Sequence, residues 1–143
     1  MAAGLSPRLA AVVDALPLTP ASRVLEVGCG PGAAARAVAR RLTTGFVLAI
    51  DRSAAAVAAA RAGSAAEIAS GRLDVRCVAV ESFVLEPGEA PFDVVFAVRV
   101  GALDGRHPAA GRLARERLRA VLAPGGRVLV DGGDPLRELP LDP

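Results

Sequence analysis

The chain has no tryptophan, no tyrosine and no lysine, and it holds only four phenylalanines, two cysteines and one histidine. Each scarcity removes a class of function. With no aromatic side chains interleaved among its basic residues, it lacks the platforms on which nucleic-acid bases stack. All 17 basic residues are arginine, set against 15 acids, and the resulting net charge of +2 is a weak footprint for nucleic acid. One histidine and the widely separated Cys29 and Cys77 do not form a zinc cluster, so no metal is expected. So few cysteines fit a reduced, cytoplasmic protein better than a disulfide scaffold. Apolar runs such as Ala54–Ala60 fall far short of the ~20 residues of a membrane span. Asp14 and Pro17 break up the N-terminal apolar stretch, so no secretory signal is expected.

What remains is 143 residues, a length that suits one domain with a core of its own. The apolar fraction is 52%, too high for a disordered chain. Punctuation along the sequence divides it into an N-terminal helical segment (1–22), a core (23–131) and a tail (132–143) without a strand pattern.

Within these bounds, strands alternate with helices. Ser6-Pro7 supplies an N-cap and a first-turn proline, and Leu9, Val12, Val13 and Leu16 then mark one helical face. Arg23–Val27 reads as a first strand, closed by the cluster Gly28-Cys29-Gly30-Pro31-Gly32. A helix with Ala34, Val38 and Leu42 on one face follows, then a second strand over Phe46–Ile50 ending at Asp51. Ser53 caps an alanine-rich helix that Gly63 breaks. Val75–Val80, Phe92–Val98 and Arg127–Asp131 read as the third, fourth and fifth strands, with Cys77 alternating into the core. Before the fifth strand, Arg112–Leu122 is amphipathic, with Ala114, Leu118, Val121 and Leu122 inward and Arg112, Arg115 and Arg119 outward. Continuous apolar strands alternating with helices imply an α/β fold, a doubly wound, mostly parallel sheet covered on both faces.

Chemistry concentrates at the first glycine cluster. Glycines after a first strand allow a sharp turn and let a ligand approach where a Cβ would collide, and the amides opening the next helix then face an anionic ligand group. Asp51, at the end of the second strand, places an acceptor-only carboxylate where it can hold both hydroxyls of a ribose. Glu81, after the third strand, can accept from an exocyclic amine. These features describe an adenosine site at the carboxyl edge of the sheet. Gly28-x-Gly30-x-x-Ala33 also matches the dinucleotide fingerprint, which would make a nicotinamide-dependent oxidoreductase. Glu26 repels a pyrophosphate, however, and Pro31 removes a backbone donor. A phosphate-free ligand with an ammonium group turns Glu26 into an asset.

In their order and spacing, these segments resemble the class I S-adenosylmethionine-dependent methyltransferases. The resemblance runs from Val24–Gly32 through Ala49-Ile50-Asp51-Arg52-Ser53, Val80-Glu81-Ser82 and Phe92–Phe96 to Leu122-Ala123-Pro124-Gly125-Gly126-Arg127-Val128. It implies S-adenosylmethionine as cofactor, with the loop holding Gly28, Cys29, Gly30 and Gly32 beside the methionine and ribose. Glu26 would orient the amino end, Asp51 would hold the ribose and Arg52 would lie against one adenine face. Glu81 would take the adenine amine, the Ser82 amide would donate to the ring, and the Ala97 carbonyl would meet the methionine ammonium. The fourth strand is followed by Val98-Arg99-Val100-Gly101 in place of an Asn/Asp-Pro-Pro-Tyr motif, which argues against adenine- and glutamine-modifying branches and leaves a small-molecule acceptor. Arg99 and His107 lie on the expected acceptor side.

The family's sheet normally continues past the fifth strand into an antiparallel hairpin, whereas only residues 132–143 follow here. The expectation is a shortened member of about five strands that lacks the hairpin. Its exposed fifth strand would invite a homodimer or a partner subunit. A non-catalytic binding or partner protein built on the same fold is the alternative from another class.

Overall fold

A computed structural model describes residues 5–141; the outermost ends of the N-terminal segment and of the tail lie outside the described residues. Helix α1 (Pro7–Ala15) begins where Ser6 Oγ accepts the Leu9 amide at 3.2 Å. Strand β1 (Arg23–Val27) leads through the glycine loop into α2 (Ala33–Ala39), and β2 (Phe46–Asp51) into α3 (Ala54–Gly63). Ser53 caps α3 by accepting the Ala56 amide, and beyond Gly63 the short α4 (Ala65–Ala69) completes the crossover. Then come β3 (Leu73–Cys77), a 3-10 turn over Val80–Ser82, β4 (Phe92–Ala97), α5 (Pro108–Val121), β5 (Leu122–Asp131) and β6 (Leu136–Glu138).

The six strands form one sheet in the order β3-β2-β1-β4-β5-β6, parallel except for the antiparallel β5–β6 pair. Strand alternation sorts the core into two layers. Val24, Val47, Ala49, Val94, Phe96 and Leu129 face α1, α2 and α3. Leu25, Leu48, Ile50, Val95, Val128 and Val130 face α5 and the segment around Val80 and Phe83. The order reverses between β2-β1 and β4, so their carboxyl ends diverge and leave a crevice, the usual ligand position in open α/β sheets. No helix of the described residues is long and apolar enough to cross a membrane.

Several expectations need correcting. The fifth strand begins at Leu122, which caps α5 instead of facing inward from it, and α2 ends at Ala39, short of Leu42. The third strand runs over Leu73–Cys77, and Val80 belongs to the 3-10 turn. Cys77 has the inward parity of Leu73 and Val75, but it is the last residue of an edge strand and is exposed, its thiol directed at the Arg52 carbonyl. Helix α5 starts at Pro108, whose fixed φ suits a first helical turn, and so takes in the loop expected around it. The sheet has six strands, and the expected missing hairpin is present in short form. Leu136–Glu138 pairs with Leu129–Asp131, and the Leu139 amide donates to the Val128 carbonyl at 2.8 Å. Leu139 is buried in the α5-side layer, and Arg119 of α5 donates to the Leu141 carbonyl. The end of β5 is therefore covered by the chain's own tail, and β6 becomes the outer strand of the sheet.

Candidate cofactor and acceptor site

The loop Gly28–Gly32 follows β1 with φ of +73° at Gly28, +52° at Gly30 and +88° at Gly32, a region open to glycine and strained for other residues. Its amides are all engaged within the protein. Gly28 and Cys29 donate to the Ile50 carbonyl at 2.8 and 3.0 Å, Gly32 donates to the Cys29 carbonyl at 3.0 Å, and Pro31 has no N–H. The Gly30 amide donates to Asp51 Oδ2 at 2.9 Å. The Gly28–Gly32 amides are therefore spent within the protein, while Ala33 and Ala34, which open α2, line the smaller of two cavities beside the loop. Arg36 of α2 braces the loop from behind, donating to the Pro31 carbonyl at 2.9 Å and to Ser64 Oγ at 3.0 Å. Nothing in the sequence pattern distinguishes Arg36 from a solvated helix arginine.

Both cavities open along the loop. The larger, about 730 Å³, is lined by Asp51, Arg52 and Glu81 on one side and by Val98–Ala102 and Arg106–Ala110 on the other. The smaller, about 300 Å³, is lined by Glu26, Cys29, Gly30 and Pro31 together with Ser6, Arg8 and Leu9 at the start of α1. Gly28, Val98 and Arg99 line both and so mark their junction. A Cβ on Gly28 would lie 2.7 Å from Val100 Cγ2, whereas one on Gly30 would meet nothing within 4 Å and would project into free space.

Of the ten residues expected at the site, seven line a cavity. Glu26, Cys29 and Gly30 belong to the smaller, Asp51, Arg52 and Glu81 to the larger, and Gly28 to both. Gly32 is on neither wall, and its role is close packing, since a Cβ there would press on Arg36 and Ala60. Ser82 is exposed and its amide donates to the Ala79 carbonyl at 3.0 Å, so the expected donation to an adenine ring is not available as the chain stands. Ala97 is buried at the end of β4, and Val98 takes the wall position beside it.

Glu26 is the electrostatic centre. It is 5% exposed, and its Oε1 has no hydrogen-bond partner. Burial raises its carboxyl to about 8; the Ala35 amide opposes this and the nearby Asp51 charge reinforces it. A buried carboxylate oxygen without a donor is costly, and a ligand cation in the smaller cavity would relieve that cost. Cys29 is pushed up to about 12 by burial and by Glu26 and Asp51, which keeps it a neutral thiol with no nucleophilic role.

Sequence pattern also did not single out Asp131. This residue ends β5 and accepts from two directions: the Arg99 amide at 3.1 Å and Arg8 Nη2 at 3.3 Å. It thereby ties the segment after β4 and the first turn of α1 to the sheet edge. Arg99 has φ +58°, a conformation costing an arginine about 1–3 kcal/mol.

Residues 24–126 match the family model described as a methyltransferase domain. The chain is 38% identical over 128 residues to a protein-L-isoaspartate O-methyltransferase of Methylorubrum populi, covering 89% of this chain and 52% of that protein. It is 34% identical to a trans-aconitate 2-methyltransferase of Paracidovorax citrulli, over 86% of this chain and 42% of that protein. It spans about half the length of these curated relatives. Among solved structures, the [4+2]-cyclase SpnF superposes with a TM-score of 0.70 at 29% identity, over 85% of this chain and 42% of that one. A Geobacter sulfurreducens methyltransferase in complex with S-adenosyl-L-homocysteine shares the fold, with a TM-score of 0.67 at 24% identity over 87% and 47% of the two chains. The ordered motifs, the six-stranded topology and the family match agree, and the chain belongs to the class I S-adenosylmethionine-dependent methyltransferases.

Proposed function

We propose that this domain binds S-adenosylmethionine across the two cavities and transfers its methyl group to a small-molecule acceptor in the larger one. The observation that carries this reading is the unpartnered, buried Oε1 of Glu26, a position that calls for a cationic donor such as the cofactor's ammonium group. The engaged loop amides and the adjacent Glu26 favour the same ligand over a dinucleotide, whose pyrophosphate would find no free N–H on Gly28–Gly32 and a carboxyl group beside it. Asp51 would hold the ribose hydroxyls with the acceptor capacity left over from Gly30 and Ser53, and Arg52 and Glu81 would flank the adenine. Bound S-adenosylmethionine supplies a methyl group on positively charged sulfur, open to in-line displacement. The protein's contribution is then alignment and exclusion of water.

Calorimetric titration with S-adenosylmethionine, S-adenosylhomocysteine and NAD tests the reading. Binding of the first two and not of NAD is expected, and binding of NAD alone would overturn it.

A second reading keeps the cofactor and drops the methyl transfer. The similarity to a protein named a [4+2]-cyclase favours it. Formation of S-adenosylhomocysteine in the presence of an acceptor panel separates the two.

A further inference from the structure

We propose that the acceptor is a carboxylate-bearing small molecule and that Arg99 is the residue that binds it, at the junction of the two cavities. The proposal rests on the cofactor reading above. Arg99 lines both cavities and is the only non-glycine among the described residues with a positive φ. Its backbone is held on both sides: its amide donates to Asp131 Oδ1 at 3.1 Å, and its carbonyl accepts from Arg106 Nη2 at 3.3 Å. Strained conformations persist only where the surroundings impose them. Here they fix the root of a side chain whose guanidinium has no hydrogen bond or ion pair among the described residues.

The other cations around the junction have partners or stand elsewhere. Arg106 is paired with Asp104, its Nε 2.8 Å from Oδ2. Arg8 is paired with Asp131 at 3.3 Å. Arg52 stands beside Asp51 on the opposite wall of the larger cavity. His107 closes against Gly101, where a Cβ would lie 2.5 Å from its Cδ2, so the wall next to Arg99 is shaped by a ring and a bare glycine. That leaves Arg99 as the unpaired cation at the junction.

A ligand with its adenosine end at Asp51 and Glu81 and its ammonium at Glu26 has to cross this junction, carrying its positive sulfur there. Two positive charges facing one small space favour an anion between them and disfavour a protonated amine. The planar guanidinium fork matches a carboxylate in a bidentate arrangement. The chemistry balances without a further group. The carboxylate oxygen forms its bond to the methyl carbon as the methyl–sulfur bond breaks, and the electron pair stays on sulfur. The products are a methyl ester and S-adenosylhomocysteine. No proton is released, so no base is required.

The test is calorimetric titration of acetate, succinate, benzoate and citrate into protein saturated with sinefungin, an unreactive analogue whose protonated amine replaces the cofactor's charged sulfonium group, with trimethyl citrate as the uncharged control. Arg99→Asn and Arg99→Gly remove the guanidinium and both tolerate a left-handed backbone, so a loss in both variants reports the missing charge and not a misfolded loop. The expected result is saturable binding of at least one carboxylate by the parent, weakened tenfold or more in both variants, with no binding of the ester and with S-adenosylhomocysteine affinity within twofold of the parent. Absence of carboxylate binding to the saturated parent, or equal binding by the variants, would overturn the proposal. So would a tenfold loss of S-adenosylhomocysteine affinity in the variants, which would assign Arg99 to the cofactor's own carboxylate. If the parent does not bind S-adenosylhomocysteine at all, the cofactor reading itself fails, and this proposal with it.

Discussion

Asp51 Oδ2 accepts the Gly30 amide at 2.9 Å, which joins the end of β2 to the middle of the loop that follows β1. Its other oxygen accepts the Ser53 amide at 2.9 Å, so one carboxylate shapes the loop and the entry to α3 while facing the larger cavity. Removing it therefore acts twice. Asp51→Ala is expected to lower S-adenosylhomocysteine affinity by about 1–3 kcal/mol and to loosen the loop. Asp51→Asn, which keeps one acceptor oxygen, should lose less. Calorimetry on the two variants checks the order, and equal affinity of Asp51→Ala and the parent would remove Asp51 from the ribose site.

Glu26 makes the protein's stability depend on pH. With its carboxyl raised to about 8 from an ordinary 4.5, the folded state holds a proton that the unfolded chain releases. The group's stabilising contribution is complete below pH 4.5, falls as the pH rises from there to about 8, and is level beyond. Glu26→Gln should flatten this slope in thermal unfolding scans across the range. A parent and variant with parallel pH profiles would show that Glu26 is not the source.

The same group predicts a proton released on ligand binding. At neutral pH the free protein carries Glu26 largely protonated, and a ligand ammonium placed against it would draw the carboxyl into its charged form. Calorimetry of S-adenosylhomocysteine binding at pH 7 in buffers of different ionisation enthalpy should show net proton release in the parent and none in Glu26→Gln. Identical apparent enthalpies across buffers for the parent would contradict the contact.

Gly28 and Gly30 should respond differently to alanine. At Gly30 the new Cβ meets no atom of the protein, so the fold loses only the left-handed backbone cost of about 1–2 kcal/mol, while the methyl group stands in the smaller cavity. Gly28→Ala adds a 2.7 Å clash with Val100 to the same backbone cost and should unfold at a lower temperature. Both should lose S-adenosylhomocysteine binding. A Gly30→Ala variant with parent affinity would move the ligand off this wall.

The tail is expected to act as a stabilising cover. Leu139 is 4% exposed, and its truncation to alanine should cost about 2–4 kcal/mol in denaturant unfolding. Deleting residues 135–143 uncovers the end of β5 and should increase self-association relative to the parent in sedimentation at micromolar concentration. A deletion variant that sediments as the parent does would show that the β5 edge is protected without β6.

Local rules set much of this protein before any folding partner is considered. The Ser6 and Ser53 caps, the break at Gly63 and the alternation of Val24 with Leu25 and Val47 with Leu48 depend on residues a few positions apart, and a linear reading captures them. The same holds for the glycine loop and for Asp51 at the end of β2, because strand, turn and helix are contiguous there. What depends on distant segments was out of reach. Leu136–Glu138 becomes a strand because the end of β5 offers unpaired backbone groups and Leu139 finds the α5-side core, though its own sequence has no alternation to announce it. Cys77 is exposed because nothing covers the end of an edge strand, a fact of strand order and not of parity. Asp131 engages Arg8 across 123 residues and Arg99 across 32, and it is this three-segment meeting that aims the Arg99 backbone at the junction. Side chains whose partners are far away in sequence acquire their roles only once the sheet has brought those partners together.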